Sequence, residues 1–148
     1  MGMENIIIHK PEDFPGLRAA GRLAAETLDY ITPFVKVGVD TEYLDNLMND
    51  FIKSKGGVSA DLGYHGYPKA TCISPNHVVC HGIPSPDKHL QNGDIINIDV
   101  TVILDGYYGD TSRMYFVGHP SVKAKRLVMN AYDTMMAAIN AVKPGATT

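Results

Sequence analysis

The 148-residue sequence has only two cysteines, no run of basic residues and no long apolar stretch. Cys72 and Cys80 have neither the spacing of a zinc knuckle nor that of a haem motif, which excludes both kinds of site. Two free thiols are typical of a reducing compartment, so we expect a cytoplasmic location. A net charge of −3 without basic clusters argues against direct nucleic-acid binding.

The apolar stretches argue against a membrane-spanning helix, since none approaches the roughly 20 residues that such a helix needs, and we expect no membrane partner. Residues 1–10 contain three consecutive isoleucines but no cationic segment before them, so we expect an N-terminal extension and not a secretory signal. The full 148-residue sequence is 45% hydrophobic and 20% charged, as in ordinary globular domains.

Apolar residues at helical spacing predict three long helices, bounded by capping residues, glycines and prolines. The helices are expected after Pro15-Gly16 and before Pro33, from Asp40 or Thr41 to Gly56-Gly57, and from Ser121 to Pro144. Their predicted apolar faces are Leu17, Ala20, Ala24, Leu28 and Ile31; Leu44, Leu47, Met48, Phe51 and Ile52; and Leu127, Ala131, Met135, Ala138, Ile139 and Val142. Between the second and third helices, four short runs predict strands at 71–74, 77–80, 94–104 and 106–118.

The pattern V-K-x-G-x-x-T occurs twice, at 35–41 and at 142–148. At the first copy the threonine stands where a new helix begins, and at the second copy the sequence stops. The match favours an internally duplicated architecture of which one half is present, although seven residues can also match by chance.

The Asp105-Gly106 pair between two β-like runs predicts a tight hairpin. With these as the loop residues, Thr101 faces Asp110 and Asp99 faces Ser112. Because side chains alternate between faces, all four share one face, and the two carboxylates become diagonal neighbours with backbones ~7–8 Å apart. A three-residue loop without a bulge would instead separate them. The opposite, buried face is predicted to hold Ile96, Ile98, Val100 and Val102.

Asp99 and Asp110 stand where aspartate is unusual, since strands are depleted in it. One interpretation is a solvated face; a second is acid–base chemistry, as in glycosidases. A third is a cation site, because two adjacent carboxylates repel each other and a divalent ion removes that conflict. Aspartates on one face of a hairpin favour chelation.

The loop segment 63–84 has a second set of candidate residues. Tyr64, Tyr67 and Cys72 form an apolar, polarizable set suited to a methionine thioether, or else a loop packed over the core. His81 follows an apolar run and is a candidate ligand, general acid or hydrogen-bond donor to substrate, or else a structural histidine.

Taken together, these segments resemble the N-terminal half of the type I (bacterial-type) methionine aminopeptidases, which have the pita-bread metallopeptidase fold. The resemblance covers about residues 11–145 and rests on the blocks AGRLAAE, GYHGYPK, CIS, VVCHGIP, GDIINIDVT and DGYYGDTS. It implies an α+β fold, with an antiparallel sheet and long helices packed on one face. Residues 11–148 would be the N-terminal half of a single catalytic domain whose C-terminal half is absent.

The resemblance also implies a centre of two divalent ions (cobalt, manganese, iron or zinc) held by five side chains. Asp99 of the NIDVT block would chelate one ion, and Asp110 of the GDTS block would bridge both. His81 would contact the substrate at the scissile bond. Tyr64, Tyr67 and Cys72 would line the methionine pocket, with each position matched by its motif.

Two departures from the family pattern affect these expectations. Asp61 stands where a small uncharged residue is typical, which changes the charge at the pocket rim. The family's metal-binding histidine, its two metal-binding glutamates and a second substrate-contacting histidine fall after residue 148. Two carboxylates lack the ligand number and the imidazole of a complete site.

The expected function is removal of the initiator methionine from nascent proteins, whose N-terminal peptides are the expected partners near the ribosome. This chain alone is expected to be weakly active or inactive without the C-terminal half. A proline-directed peptidase of the same fold and a non-catalytic or decayed pita-bread module are the alternatives.

Overall fold

The computed structural model describes residues 7–147, which form three long helices and a four-stranded antiparallel sheet. Residues 1–6 of the predicted extension, and Thr148 in the second V-K-x-G-x-x-T copy, lie outside the described residues. The helices are α1 (Phe14–Ile31), α2 (Thr41–Ser54) and α3 (Val122–Ala141), and the strands are β1 (Val58–Ser59), β2 (Cys72–Pro75), β3 (Ile95–Leu104) and β4 (Tyr107–Phe116). Short 3₁₀ turns cover Pro11–Asp13, Thr32–Phe34 and Tyr64–Gly66.

The starts of α2 and α3 each have a local cause. The Asp40 carboxylate accepts a hydrogen bond from the Tyr43 N–H at 2.7 Å, which decides between the two predicted caps of α2. The Ser121 hydroxyl accepts one from the Ala124 N–H at 3.1 Å and begins α3. These bonds satisfy backbone donors that a helix N-terminus leaves without a partner.

Strand β3 is the centre of the sheet, with β4 along one edge and both β1 and β2 along the other. The predicted inward residues of β3, Ile96, Ile98, Val100 and Val102, are all fully buried against α1 and α2. The predicted core face is therefore confirmed, and the opposite face of the hairpin is left for polar groups.

One predicted strand is absent, and one observed strand was not predicted. The run 77–80 forms no strand, and Val79 is 93% exposed. The two-residue strand β1 was not predicted, because Val58–Ser59 is too short to show an alternating pattern.

The predicted burial of α3 is also wrong for the described chain, although the helix itself is confirmed. Within residues 7–147, Val128 is the one buried residue of α3. Large apolar side chains of this helix are exposed to solvent: Leu127, Met129, Tyr132, Met135, Met136 and Ile139. Among the described residues, no helix combines the length and hydropathy needed to cross a bilayer.

The two copies of V-K-x-G-x-x-T have matching backbones over their described residues. Val35 and Val142 are both extended, with φ of −75° and −69°. Gly38 and Gly145 have φ of +86° and +84°, in the left-handed region that glycine adopts readily. This local similarity supports the duplication hypothesis drawn from the sequence.

Candidate active site

The hairpin of β3 and β4 has the predicted register. Asp105 and Gly106 form the turn with φ of +51° and +84°, the positive pair of a type I′ turn. Thr101 pairs with Asp110, and Asp99 pairs with Ser112. The two carboxylates therefore lie on one face of the sheet, opposite the buried face.

Burial and charge act together on the first of these carboxylates. Asp99 is half-buried, and its pKa is raised by burial and then by the negative charge of Asp110, while His81 opposes the rise. Asp110 lies on the exposed side of β4. Two like charges held on one rigid face form a site that a cation stabilises.

A pocket lies beside the carboxylate pair. Its cavity of about 470 Å³ is lined by Asp61, Tyr64, His65, Gly66, Tyr67, Pro68, Cys72, His81 and Ile83. The structure thus brings together all four residues that were predicted to contact substrate. Cys72 connects the pocket to the hairpin, because it pairs with Asp99 across β2 and β3.

The Tyr67 hydroxyl joins two walls of this pocket. It lies 3.0 Å from the Thr71 carbonyl oxygen and 3.1 Å from that of Gly82, and it donates to this pair of acceptors. The Gly82 carbonyl also accepts from the Ile73 N–H at 2.9 Å. Tyr67 therefore has a structural function besides lining the cavity.

His81 is held in an uncommon backbone conformation, with φ of +54°. The next residue, Gly82, packs so closely on the Ile73 carbonyl that a Cβ atom there would overlap it. The Gly82 N–H donates to the Ser74 hydroxyl at 3.1 Å. Because the 81–82 segment is fixed to β2, the His81 side chain is presented at the rim of the pocket.

Asp45 is a buried carboxylate that sequence reasoning missed. On α2 and only 3% exposed, it accepts hydrogen bonds from the Thr71 N–H at 2.8 Å and the Thr71 hydroxyl at 2.7 Å. Burial raises its pKa, and these donors oppose the rise. The bonds fix the segment that enters β2 just before Cys72. No local signal identifies Asp45, since its partner is 26 residues away.

The carboxylate pair suits a divalent cation in charge and in ligand chemistry, since oxygen donors bind hard and borderline ions. Within residues 7–147, however, no group of three or more His, Cys, Asp or Glu side chains is arranged to hold a metal ion. Asp99 and Asp110 therefore fit part of a metal centre, and a tight site needs further ligands.

Asp61 makes the stability of the chain depend on pH. Burial raises its pKa to about 6, and the charges of Asp99 and Asp110 add to the rise. Because the folded-state pKa lies above the unfolded value of about 3.9, the fold favours the neutral form, and this stabilisation is lost as pH rises through 6. We expect Asp61→Asn, measured by urea unfolding, to be about 1 kcal/mol more stable than the parent at pH 7.5, after allowing for solvent screening.

At pH 3 this difference should nearly vanish, because pH 3 lies below both the folded and the unfolded pKa and Asp61 is then mostly neutral in both states. Asp50→Asn, which removes an exposed charge on α2, is the matched control and should show no such pH-dependent gain in stability. Equal pH dependence in Asp61→Asn and the parent would contradict the prediction.

Comparison with known proteins finds similar proteins in bacteria. The chain is 60% identical over 141 residues to methionine aminopeptidase of Rickettsia prowazekii and 55% identical to that of Escherichia coli strain K12. Each match covers 95% of this chain, but 54% and 53% of the respective relatives. The chain therefore spans about half the length of these relatives.

Solved structures confirm the fold. The Rickettsia prowazekii enzyme matches with a TM-score of 0.92, covering 95% of this chain and 56% of that one. The Thermotoga maritima enzyme matches with a TM-score of 0.90 at 32% identity, with the same coverage. The predicted α+β pita-bread fold is thus correct. The model of metallopeptidase family M24 matches residues 15–148, and the chain belongs to that family.

Proposed function

We propose that residues 11–148 are the N-terminal half of one catalytic domain that removes the initiator methionine from nascent proteins. The observation that carries the proposal is the position of the pocket directly beside the carboxylate pair. The pocket offers two aromatic rings and a thiol to a thioether side chain, from Tyr64, Tyr67 and Cys72. Contacts between a thioether sulfur and aromatic rings are favourable. A methionine side chain in this pocket brings its carbonyl toward Asp99 and His81.

Family membership implies divalent metal as the cofactor. In the completed domain, Asp99 and Asp110 would hold two divalent ions (cobalt, manganese, iron or zinc) together with ligands from the other half. Such ions, when bound, supply polarisation of a carbonyl and activation of water near neutral pH.

His81 has the role of contacting the scissile bond. From the pocket rim, its imidazole can donate a hydrogen bond to the oxygen on which negative charge develops. Hydrogen bonds between Gly82 and β2 fix the backbone that carries this donor.

Two observations support the assignment as one half of a domain. Large apolar side chains are exposed over much of the length of α3, although the apolar face of a helix is normally covered by another part of the protein. The chain also spans about half the length of its relatives. We propose the remaining half as the required partner, N-terminal peptides of nascent proteins near the ribosome as substrates, and the cytoplasm as the location.

The test joins residues 1–148 to the remaining half of the Rickettsia prowazekii enzyme. With added manganese or cobalt, the joined protein is expected to release methionine from Met-Ala-Ser, whereas the 148-residue chain is expected to be weakly active or inactive. Metal counting by native mass spectrometry should find two ions in the joined protein. Cleavage of Xaa-Pro dipeptides in preference to Met-Ala-Ser would favour a proline-directed peptidase.

Failure of the joined protein to cleave any of these peptides, despite a folded state by circular dichroism, would favour the non-catalytic module. Strong turnover by the 148-residue chain alone would contradict the half-domain assignment. His81→Ala in the joined protein is the control for cleavage at this site, and it should keep the metal count.

A further inference from the structure

Asp45 on α2 is a buried carboxylate to which the proposed function gives no role. Its oxygens accept hydrogen bonds from the Thr71 hydroxyl at 2.7 Å, the Thr71 N–H at 2.8 Å and the Ala70 N–H at 3.4 Å. Asp45 is only 3% exposed and Thr71 is fully buried, so water cannot readily replace these bonds. Removal of either partner leaves the other buried without one, which is costly.

Thr71 lies between two parts of the pocket wall. Cys72 is the next residue along the chain, and the Tyr67 hydroxyl lies 3.0 Å from the Thr71 carbonyl oxygen. The side chains of Tyr67 and Cys72 both line the cavity of about 470 Å³. Tyr67, through its hydroxyl, and Cys72, through the chain, are therefore both attached to the residue that Asp45 holds.

The loop that leads into β2 has two further attachments. Lys69 forms an ion pair with Glu42, which lies about one turn before Asp45 on α2. The Ser59 hydroxyl of β1 donates to the Ala70 carbonyl at 2.7 Å. The loop is thus attached to α2 on one side and to β1 on the other. Of these contacts, those of Asp45 are the ones that reach the residue joined to both lining groups.

We propose that Asp45 is a positioning residue of the pocket: by holding Thr71, it keeps the Tyr67 ring and the Cys72 thiol at the cavity wall. Asp45 lies behind the wall and acts through Thr71. The inference deepens the proposed function and rests on it wherever it concerns the first side chain of a peptide. A looser wall makes fewer close contacts with a bound side chain, and dispersion attraction falls steeply with distance.

The reactivity of the Cys72 thiol tests this positioning without substrate or metal. In the 148-residue chain with Cys80→Ser, Cys72 is the one remaining thiol, and it is buried. The rate of its alkylation by iodoacetamide is measured in this parent, in Asp45→Ala, and in the matched pair Thr71→Val and Thr71→Ser. Valine keeps the shape of threonine without the hydroxyl donor, whereas serine keeps that donor.

Asp45→Ala and Thr71→Val are expected to raise the alkylation rate at least about tenfold, because each leaves a buried group without its partner. Thr71→Ser should stay within about twofold of the parent, since its hydroxyl can still donate to Asp45. The part of each rate that passes through global unfolding is calculated from urea unfolding of the same variant and subtracted. Leu28→Ala, a core truncation on α1, is the control and should then show no increase.

Kinetics of the joined protein test whether the wall that Asp45 positions recognises the first side chain. Asp45→Ala and Thr71→Val should raise KM for Met-Ala-Ser about tenfold and keep kcat within about twofold, the pattern of lost substrate binding. Thr71→Ser should keep the KM of the parent. A general loss of folded protein would instead lower kcat and keep KM, since the molecules that remain folded are unaltered.

Alkylation of Asp45→Ala and Thr71→Val no faster than that of Leu28→Ala, after the subtraction, would overturn the inference. Faster alkylation with an unchanged KM would overturn its link to substrate recognition. If the joined parent cleaves no methionyl peptide, the proposed function fails, and the alkylation rates still decide whether Asp45 positions the pocket.

Discussion

Asp110→Asn in the joined protein is expected to lower kcat/KM for Met-Ala-Ser by about 1,000-fold. The reason is that a metal centre stabilises the charge that develops in the transition state by several kcal/mol. Asparagine keeps the shape of the side chain but removes the negative charge that pairs with the cation. Because Asp110 is exposed on β4 and its neighbours fix the register, the hairpin should remain folded. Steady-state kinetics and metal counting by mass spectrometry measure the two effects, and the count should fall below two ions.

Asp105→Asn is the matched control for this loss of charge. Asp105 lies in the turn of the same hairpin with φ of +51°, a conformation that asparagine also adopts well. Its replacement should change kcat/KM by less than about twofold, because surface charge changes away from a site act weakly. If Asp110→Asn keeps its turnover and both ions, the carboxylate pair is not the metal site.

The hairpin shows how much of the site the sequence determines. A two-residue Asp-Gly turn has few accessible geometries, and strand side chains alternate strictly. Thus the register of Asp99 and Asp110 could be predicted residue by residue, and it agrees with the structure. The pocket depended on the resemblance, because its walls come from loops whose paths leave no periodic signal.

Features that depend on distant partners could not be predicted in the same way. The apolar spacing of α3 correctly predicted a helix, but burial requires a second surface that the described residues do not provide. The run 77–80 is apolar and short, and such runs do not distinguish strand from loop. The support that Asp45 gives to Thr71 appears only once α2 and β2 are packed together.

The contact between α1 and β4 gives the largest predicted effect on stability. Gly109 is buried on β4, and a Cβ atom there would overlap the Ala20 carbonyl and the Gly21 amide nitrogen on α1. Since backbone atoms cannot rotate away, Gly109→Ala must separate the helix from the strand. Overpacking of this kind costs about 3 kcal/mol, which corresponds to a fall in Tm of roughly 6–12 °C for a chain of this size.

Gly21→Ala is the matched substitution on the helix side of the same contact. A Cβ atom at Gly21 meets nothing within 4 Å, so alanine should stabilise α1 by about 0.5–1 kcal/mol. Thermal and urea unfolding of the two variants, followed by circular dichroism, should therefore move in opposite directions. In the joined protein, Gly109→Ala should also weaken metal binding, because the displaced residue directly precedes Asp110 and any movement of the strand carries that carboxylate with it. If Gly109→Ala unfolds at the temperature of the parent, α1 does not pack on β4 as closely as described, and the rigid placement of Asp110 loses its basis.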